Sequence, residues 1–70
     1  MSEDLRFLRE PEVASLTGLS RVRRWELERL GRFPRRVKLS VHAVGWVESE
    51  IRDWMRERMD ARARAAKVDE

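Results

Sequence analysis

Glycine and proline punctuation confines the first half of this chain to short elements, because Pro11, Gly18, Gly31 and Pro34 leave no uninterrupted stretch for a long helix. Residues Glu10 to Thr17 read as a short helix: Pro11 falls in the first turn, where its missing N–H is harmless, and Glu10 and Glu12 face the positive end of the helix dipole. Val13 and Leu16, three apart, give it a single apolar face. Gly18 stands where a left-handed residue ends a helix. Ser20 is then a suitable N-cap for a second helix from about Arg21 to Leu30, which Gly31 closes in turn. Helix, tight glycine turn and capped second helix form a helix-turn-helix pattern.

After Arg32-Phe33-Pro34 the period changes to two. Val37 and Leu39 alternate with Arg36 and Lys38, and beyond Ser40-Val41-His42-Ala43 come Val44 and Trp46 around Gly45. This predicts a small β-hairpin with one apolar and one basic face. From about Val47 helical spacing returns, with Val47, Ile51, Trp54, Met55 and Met59 on one stripe and Glu48 and Glu50 at its start. Past Arg56 the sequence is charged, with Met59, Ala63 and Ala66 at helical spacing. A polar terminus of this kind is expected to fray rather than to extend the helix as a partner surface. The pattern reads as one domain over residues 1–70, mainly α with a small β-hairpin, its ordered core at about 5–59.

Seventy residues make a core near the limit of independent stability, so self-association is an expectation from the outset. With no cysteine, no disulfide or thiolate metal site can supplement that core. No stretch approaches a membrane span and no basic flank precedes an apolar run at the N-terminus, so a soluble, untargeted, cytoplasmic protein is expected.

The net charge of +3 is unevenly distributed. Residues 1–19 hold two arginines against four acids, residues 20–42 eight basic residues against two acids, and residues 43–70 six against seven. A basic stripe confined to the central third, between mixed-charge flanks, is the footprint of a polyanion binder. Fourteen of the sixteen cations are arginine, which suits bidentate contacts to phosphate and guanine.

Several blocks, in order and without insertion, resemble the AlpA family of phage and mobile-element regulators: Phe7-Leu8-Arg9-Glu10-Pro11-Glu12-Val13-Ala14, Thr17-Gly18-Leu19-Ser20-Arg21, Gly31 to Leu39, and Ala43 to Ile51 with Trp54. The resemblance covers about Leu5 to Met59. It implies a compact winged helix-turn-helix related to excisionases and to the DNA-binding domains of MerR regulators. It also implies a role in transcription of integrase or prophage genes, or as a recombination directionality factor that bends attachment-site DNA. By position it implies that Ser20, Arg21, Arg23 and Trp25 enter the major groove, while Arg36, Lys38, Ser40 and His42 reach phosphate or the minor groove. Arg24 and Arg35 complete the candidate set. The family's register turns Arg24 and Glu28 towards the first helix and leaves Val22 and Trp25 outward, whereas the second helix's own apolar residues, Val22, Trp25 and Leu30, prefer a face nearly opposite. In the family register, Arg24 and Glu28, spaced i, i+4, would pair at the rim.

The candidate residues each carry a plainer alternative. Trp25 either stacks on the sugar-phosphate backbone or serves as ordinary core or oligomer contact, while Trp46 and Trp54 are expected in the core. His42, the single histidine, has no second ligand for a metal, leaving a phosphate contact or plain exposure. Ser20 has no neighbouring histidine to act as a base, and no glycine-rich phosphate loop is present, so neither an enzyme nor a cofactor or small-molecule substrate is expected. Double-stranded DNA is the expected partner, bound by a cooperative homo-oligomer, with an integrase as a further candidate. The competing reading is a protein-interaction module that binds an integrase or an acidic partner, with DNA binding secondary. RNA is a third class, for which the element order and the absence of paired sheet aromatics are unsuited.

Overall fold

The computed structural model describes residues 5–68, with side chains described through residue 65. Along the chain lie β1 (Phe7–Leu8), α1 (Glu10–Thr17), α2 (Arg21–Arg29), β2 (Val37–Ser40), β3 (Ala43–Val47) and α3 (Glu48–Val68). Three helices and an antiparallel sheet of order β1-β3-β2 make a winged helix-turn-helix, with β2 and β3 as the wing.

Local chemistry sets the boundaries of the first two helices. The Glu12 carboxylate accepts from the Arg9 backbone N–H at 2.9 Å, satisfying a donor at the start of α1. Gly18 ends that helix at φ 74° and donates its N–H to Ala14 O. The Ser20 hydroxyl then caps α2 by accepting from the Arg23 N–H at 3.1 Å. At the other end Gly31 adopts φ 74° and donates to Glu28 O while Arg32 donates to Leu27 O, the paired bonds of a Schellman turn. The chain leaves this turn through Phe33, which is buried in the core.

The core is Leu8, Val13, Phe33, Trp46 and Ile51, flanked by Leu16, Leu19, Leu27, Val44, Trp54 and Met55. Trp46 and Trp54 are therefore core residues, as expected. Trp54 meets Phe33 edge-on at 4.9 Å and donates its indole N–H to Arg32 O at 2.7 Å, tying α3 to the turn that follows α2.

Three features differ from the sequence reading. β1 is a two-residue strand with no periodic signal, and because Phe7 pairs with Val47 the latter ends β3 instead of starting α3. The wing is not divided into one apolar and one basic face. Val37 pairs with Gly45, and Leu39, the extra residue at a bulge, reaches over Gly45 beside Phe7. Their face is therefore opposite to that of Val44 and Trp46, and Lys38 shares the latter. Finally, the charged tail, for which the sequence favours fraying over helical extension without excluding the latter, is helix through Val68. Its Ala, Arg, Glu and Met residues have high helix propensity, and it continues a helix whose first turns carry the i, i+4 and i, i+3 pairs Arg52–Glu48 and Arg56–Asp53. The last two residues of the expected tail lie outside the described residues. No described helix is long and apolar enough to cross a membrane.

Candidate nucleic-acid interface

α2 sits against the sheet through an arginine. Arg24 is only 2% exposed: its two terminal nitrogens grip the Glu10 carboxylate of α1, its Nε donates to Leu19 O at 3.2 Å, and its guanidinium lies 5.7 Å from the centre of the Trp46 ring. Arg24 therefore leaves the set of candidate DNA-contacting residues. A cation so deeply placed persists because Nε and both terminal nitrogens each meet an acceptor, two of them on a carboxylate. Arg24 also draws the Glu10 carboxyl below its ordinary pKa, chiefly through this hydrogen bond, against a smaller opposing push from desolvation. The i, i+4 pairing of Arg24 with Glu28 is not formed, because both residues take partners more distant in sequence.

With Arg24 turned to Glu10 of α1, α2 takes the register that the resemblance implies for that residue, whereas the Glu28 carboxylate is bound to Arg36 at the base of the wing. Val22 is 65% exposed and Trp25 is 48% exposed. Trp25 is thus not core. Arg21, Val22, Trp25 and Arg29 follow the helical repeat along the exposed side, and the Arg29 guanidinium lies 4.9 Å from the centre of the Trp25 ring. Arg23 is also exposed but lies on the flank nearer α3, lining a hollow with Leu27, Phe33 and Asp53, and it pairs with Glu26 at 3.1 Å.

The wing brings further cations to the other flank. Arg36 lies 5.3 Å from the Trp46 ring centre and is bound to the Glu28 carboxylate of α2 through Nε at 2.9 Å and Nη2 at 2.8 Å. Trp25, Glu28, Arg29, Arg35 and Arg36 line a cleft of about 330 Å³ between helix and wing. Three guanidinium groups and an exposed indole around one concavity suit a polyanion with flat apolar parts, and Glu28 offsets one of the three charges. The larger hollow on the α3 side mixes Glu50, Asp53 and Glu57 with its arginines and suits an anion less well.

Of the sequence candidates, Trp25, Arg35 and Arg36 come together in this cleft. Ser20, Arg21, Lys38, Ser40 and His42 are exposed and do not line it; Ser20 serves as the α2 cap, and Ser40 and His42 lie at the wing tip. Arg29 and Glu28 were missed. The i, i+4 spacing of Trp25 and Arg29 is a signal that could have found the first, whereas the partner of Glu28 lies eight residues away across a turn and leaves no local trace. Among the described residues no group of His, Asp and Glu could hold a metal ion.

Comparison with known proteins places the sequence in a family. The chain is 49% identical over 59 residues, 84% of its own length and 67% of the other's, to the uncharacterized protein ORF88 of Enterobacteria phage P4. It is 37% identical over 60 residues, 77% of its length and 86% of the other's, to the DNA-binding transcriptional activator AlpA of Escherichia coli strain K12. Residues 6–59 match the family described as prophage CP4-57 regulatory protein (AlpA), a span that takes in β1, the helix-turn-helix, the wing and the anchored part of α3. With well over half its length matched, the chain belongs to the AlpA family of prophage regulatory proteins.

Proposed function

We propose that this protein is a sequence-specific binder of double-stranded DNA that regulates transcription or excisive recombination of a phage or mobile element, without catalysis or cofactor. The observation that carries the reading is the convergence of Arg29, Arg35 and Arg36 around Trp25 beside the exposed side of α2. A nine-residue helix is about 13 Å long and fits the major groove. In that pose Arg21 and Val22 meet base edges, the valine suited to a thymine methyl group. Lys38 and Arg35 meet phosphate, and Arg23, held only by an exposed pair with Glu26, exchanges that partner for phosphate at little cost. The relative from Escherichia coli, named as a DNA-binding transcriptional activator, supports the same reading.

Titration of a cognate and a scrambled duplex at several salt concentrations tests it. Arg21→Ala should cost about 1–3 kcal/mol on the cognate duplex and much less on the scrambled one. Lys38→Ala and Arg35→Ala should weaken both duplexes alike and reduce the salt slope by about one each. Equal losses for all three on both duplexes would show that α2 does not read bases. Absence of duplex binding at low salt, with retention of an acidic polypeptide, would instead favour a protein-interaction module.

A further inference from the structure

The central basic third of the chain contains two acids, Glu26 and Glu28, and the structure treats them differently. Glu26 is 48% exposed and pairs with the equally exposed Arg23, as a surface carboxylate does. The Glu28 side chain is 11% exposed, and Arg36 donates to its carboxylate from the backbone N–H and Nε, with Nη2 2.8 Å away in the same ion pair. A charge next to a polyanion site is unfavourable to that site unless it does something the site needs.

What Glu28 does follows from the path of the chain. The segment from Gly31 to Arg36 joins the recognition helix to the first wing strand and is tied down at three points: Arg32 O by the Trp54 indole, Phe33 by burial in the core, and Arg36 by Glu28. The first two hold the segment to α3 and the core. Of these three it is the last that ties the base of the wing to α2, and it fixes backbone and side chain of one residue together. It also holds the Arg36 guanidinium over Trp46, the ring that Arg24 of α2 approaches from its own side chain.

We propose that Glu28 is a positioning residue for the DNA interface: it holds Arg36 and the base of the wing against α2, so that helix and wing meet the duplex as one prearranged surface. The inference rests on the DNA-binding reading above. Its consequence has an unexpected sign. Removing a negative charge beside bound phosphates should strengthen binding, and at Glu26 it does; at Glu28 the same charge change weakens binding, because preorganisation is lost.

The test compares the full chain as wild type, Glu26→Gln, Glu28→Gln, Arg36→Ala and the Glu28→Gln/Arg36→Ala double variant, titrated with one duplex at one salt concentration. Circular dichroism monitors folding, and hydrogen exchange of the Arg36 amide is followed in the free protein. Glu26→Gln should bind up to about threefold more tightly through its charge alone. Glu28→Gln should bind about tenfold more weakly and lose protection at the Arg36 amide, while in the Arg36→Ala background, where only the backbone N–H tie remains, its effect on affinity should be smaller. If Glu28→Gln does not fold, Glu28→Asp replaces it: the charge is kept, the reach is one methylene shorter, and the same loss of protection and affinity is expected. A folded Glu28 variant that binds as tightly as the wild type, or one whose loss is undiminished in the Arg36→Ala background, overturns the inference. Failure of the wild type itself to bind overturns the DNA-binding reading instead.

Discussion

Arg24 is accommodated at 2% exposure because the Glu10 carboxylate, the Leu19 carbonyl and the Trp46 ring all meet its guanidinium. The pair is asymmetric, since the Glu10 side chain is 40% exposed. Removing the acid strands a buried cation, whereas removing the cation lets the acid turn to water. Glu10→Ala should therefore destabilise by about 2 kcal/mol, less than for a wholly buried pair because of Glu10's exposure, while Arg24→Met should stay within about 1 kcal/mol of wild type. Thermal unfolding at pH 7 reads both values; equal losses would refute the asymmetry. The pH dependence follows from the same contact. Because folding lowers the Glu10 pKa, its contribution is fully present above the unfolded value of about 4.3 and is lost as pH falls through the lower folded value. The stability gap between wild type and Glu10→Ala should thus narrow on going from pH 7 to pH 3.

At the scale of elements, the wing depends on how closely its strands approach at Gly45. A Cβ there would lie 3.0 Å from Leu39 Cδ1 and 3.1 Å from Leu8 O; the leucine tip can yield, but the carbonyl belongs to the paired strand. Gly45→Ala should cost about 1–3 kcal/mol through overpacking. At Gly31 nothing lies within 4 Å and only the backbone at φ 74° resists a side chain, so Gly31→Ala should cost about 1 kcal/mol. Denaturant titration of the two variants measures the difference, and a cheaper Gly45→Ala would show that the strands separate easily. The same elements show what could be read beforehand. α1, α2 and the hairpin were legible because Pro11, Gly18, Ser20, Gly31 and the alternation after Pro34 are local signals with local causes. β1 was not, since two residues carry no period and pair only when β3 is in place. The face taken by Val37 and Leu39 was not either, because a one-residue bulge moves a side chain across the sheet without altering the pattern. In the candidate site Trp25, Arg35 and Arg36 were found from sequence. The partner of Arg24 was not legible, because Glu10 is fourteen residues away.

At the scale of the whole molecule, one protomer offers one short recognition helix and one wing of four and five residues. A helix about 13 Å long spans roughly four base pairs, at 3.4 Å each. Four positions read perfectly distinguish only about 10² sequences, against about 10⁶ or more competing sites in a genome. On the proposed DNA-binding reading a single protomer would be occupied almost everywhere but at its target, and further copies on adjacent half-sites would supply the missing discrimination. The expected outcome is that two or more protomers occupy repeated or inverted half-sites spaced by about one helical turn, 34–36 Å, or a multiple of it. Each protomer neutralising about four to five phosphates should give a log–log salt slope of about −4 per copy bound. Footprinting across a concentration series, with the mass of the complex measured by sedimentation, supplies both numbers. Cooperative filling of at least two sites, and a slope that rises in proportion to the protomers bound, is the result expected. One isolated footprint filled by one protomer, with single-site specificity equal to that of the longer operator, would show that the α2–wing surface discriminates far better than four base pairs allow.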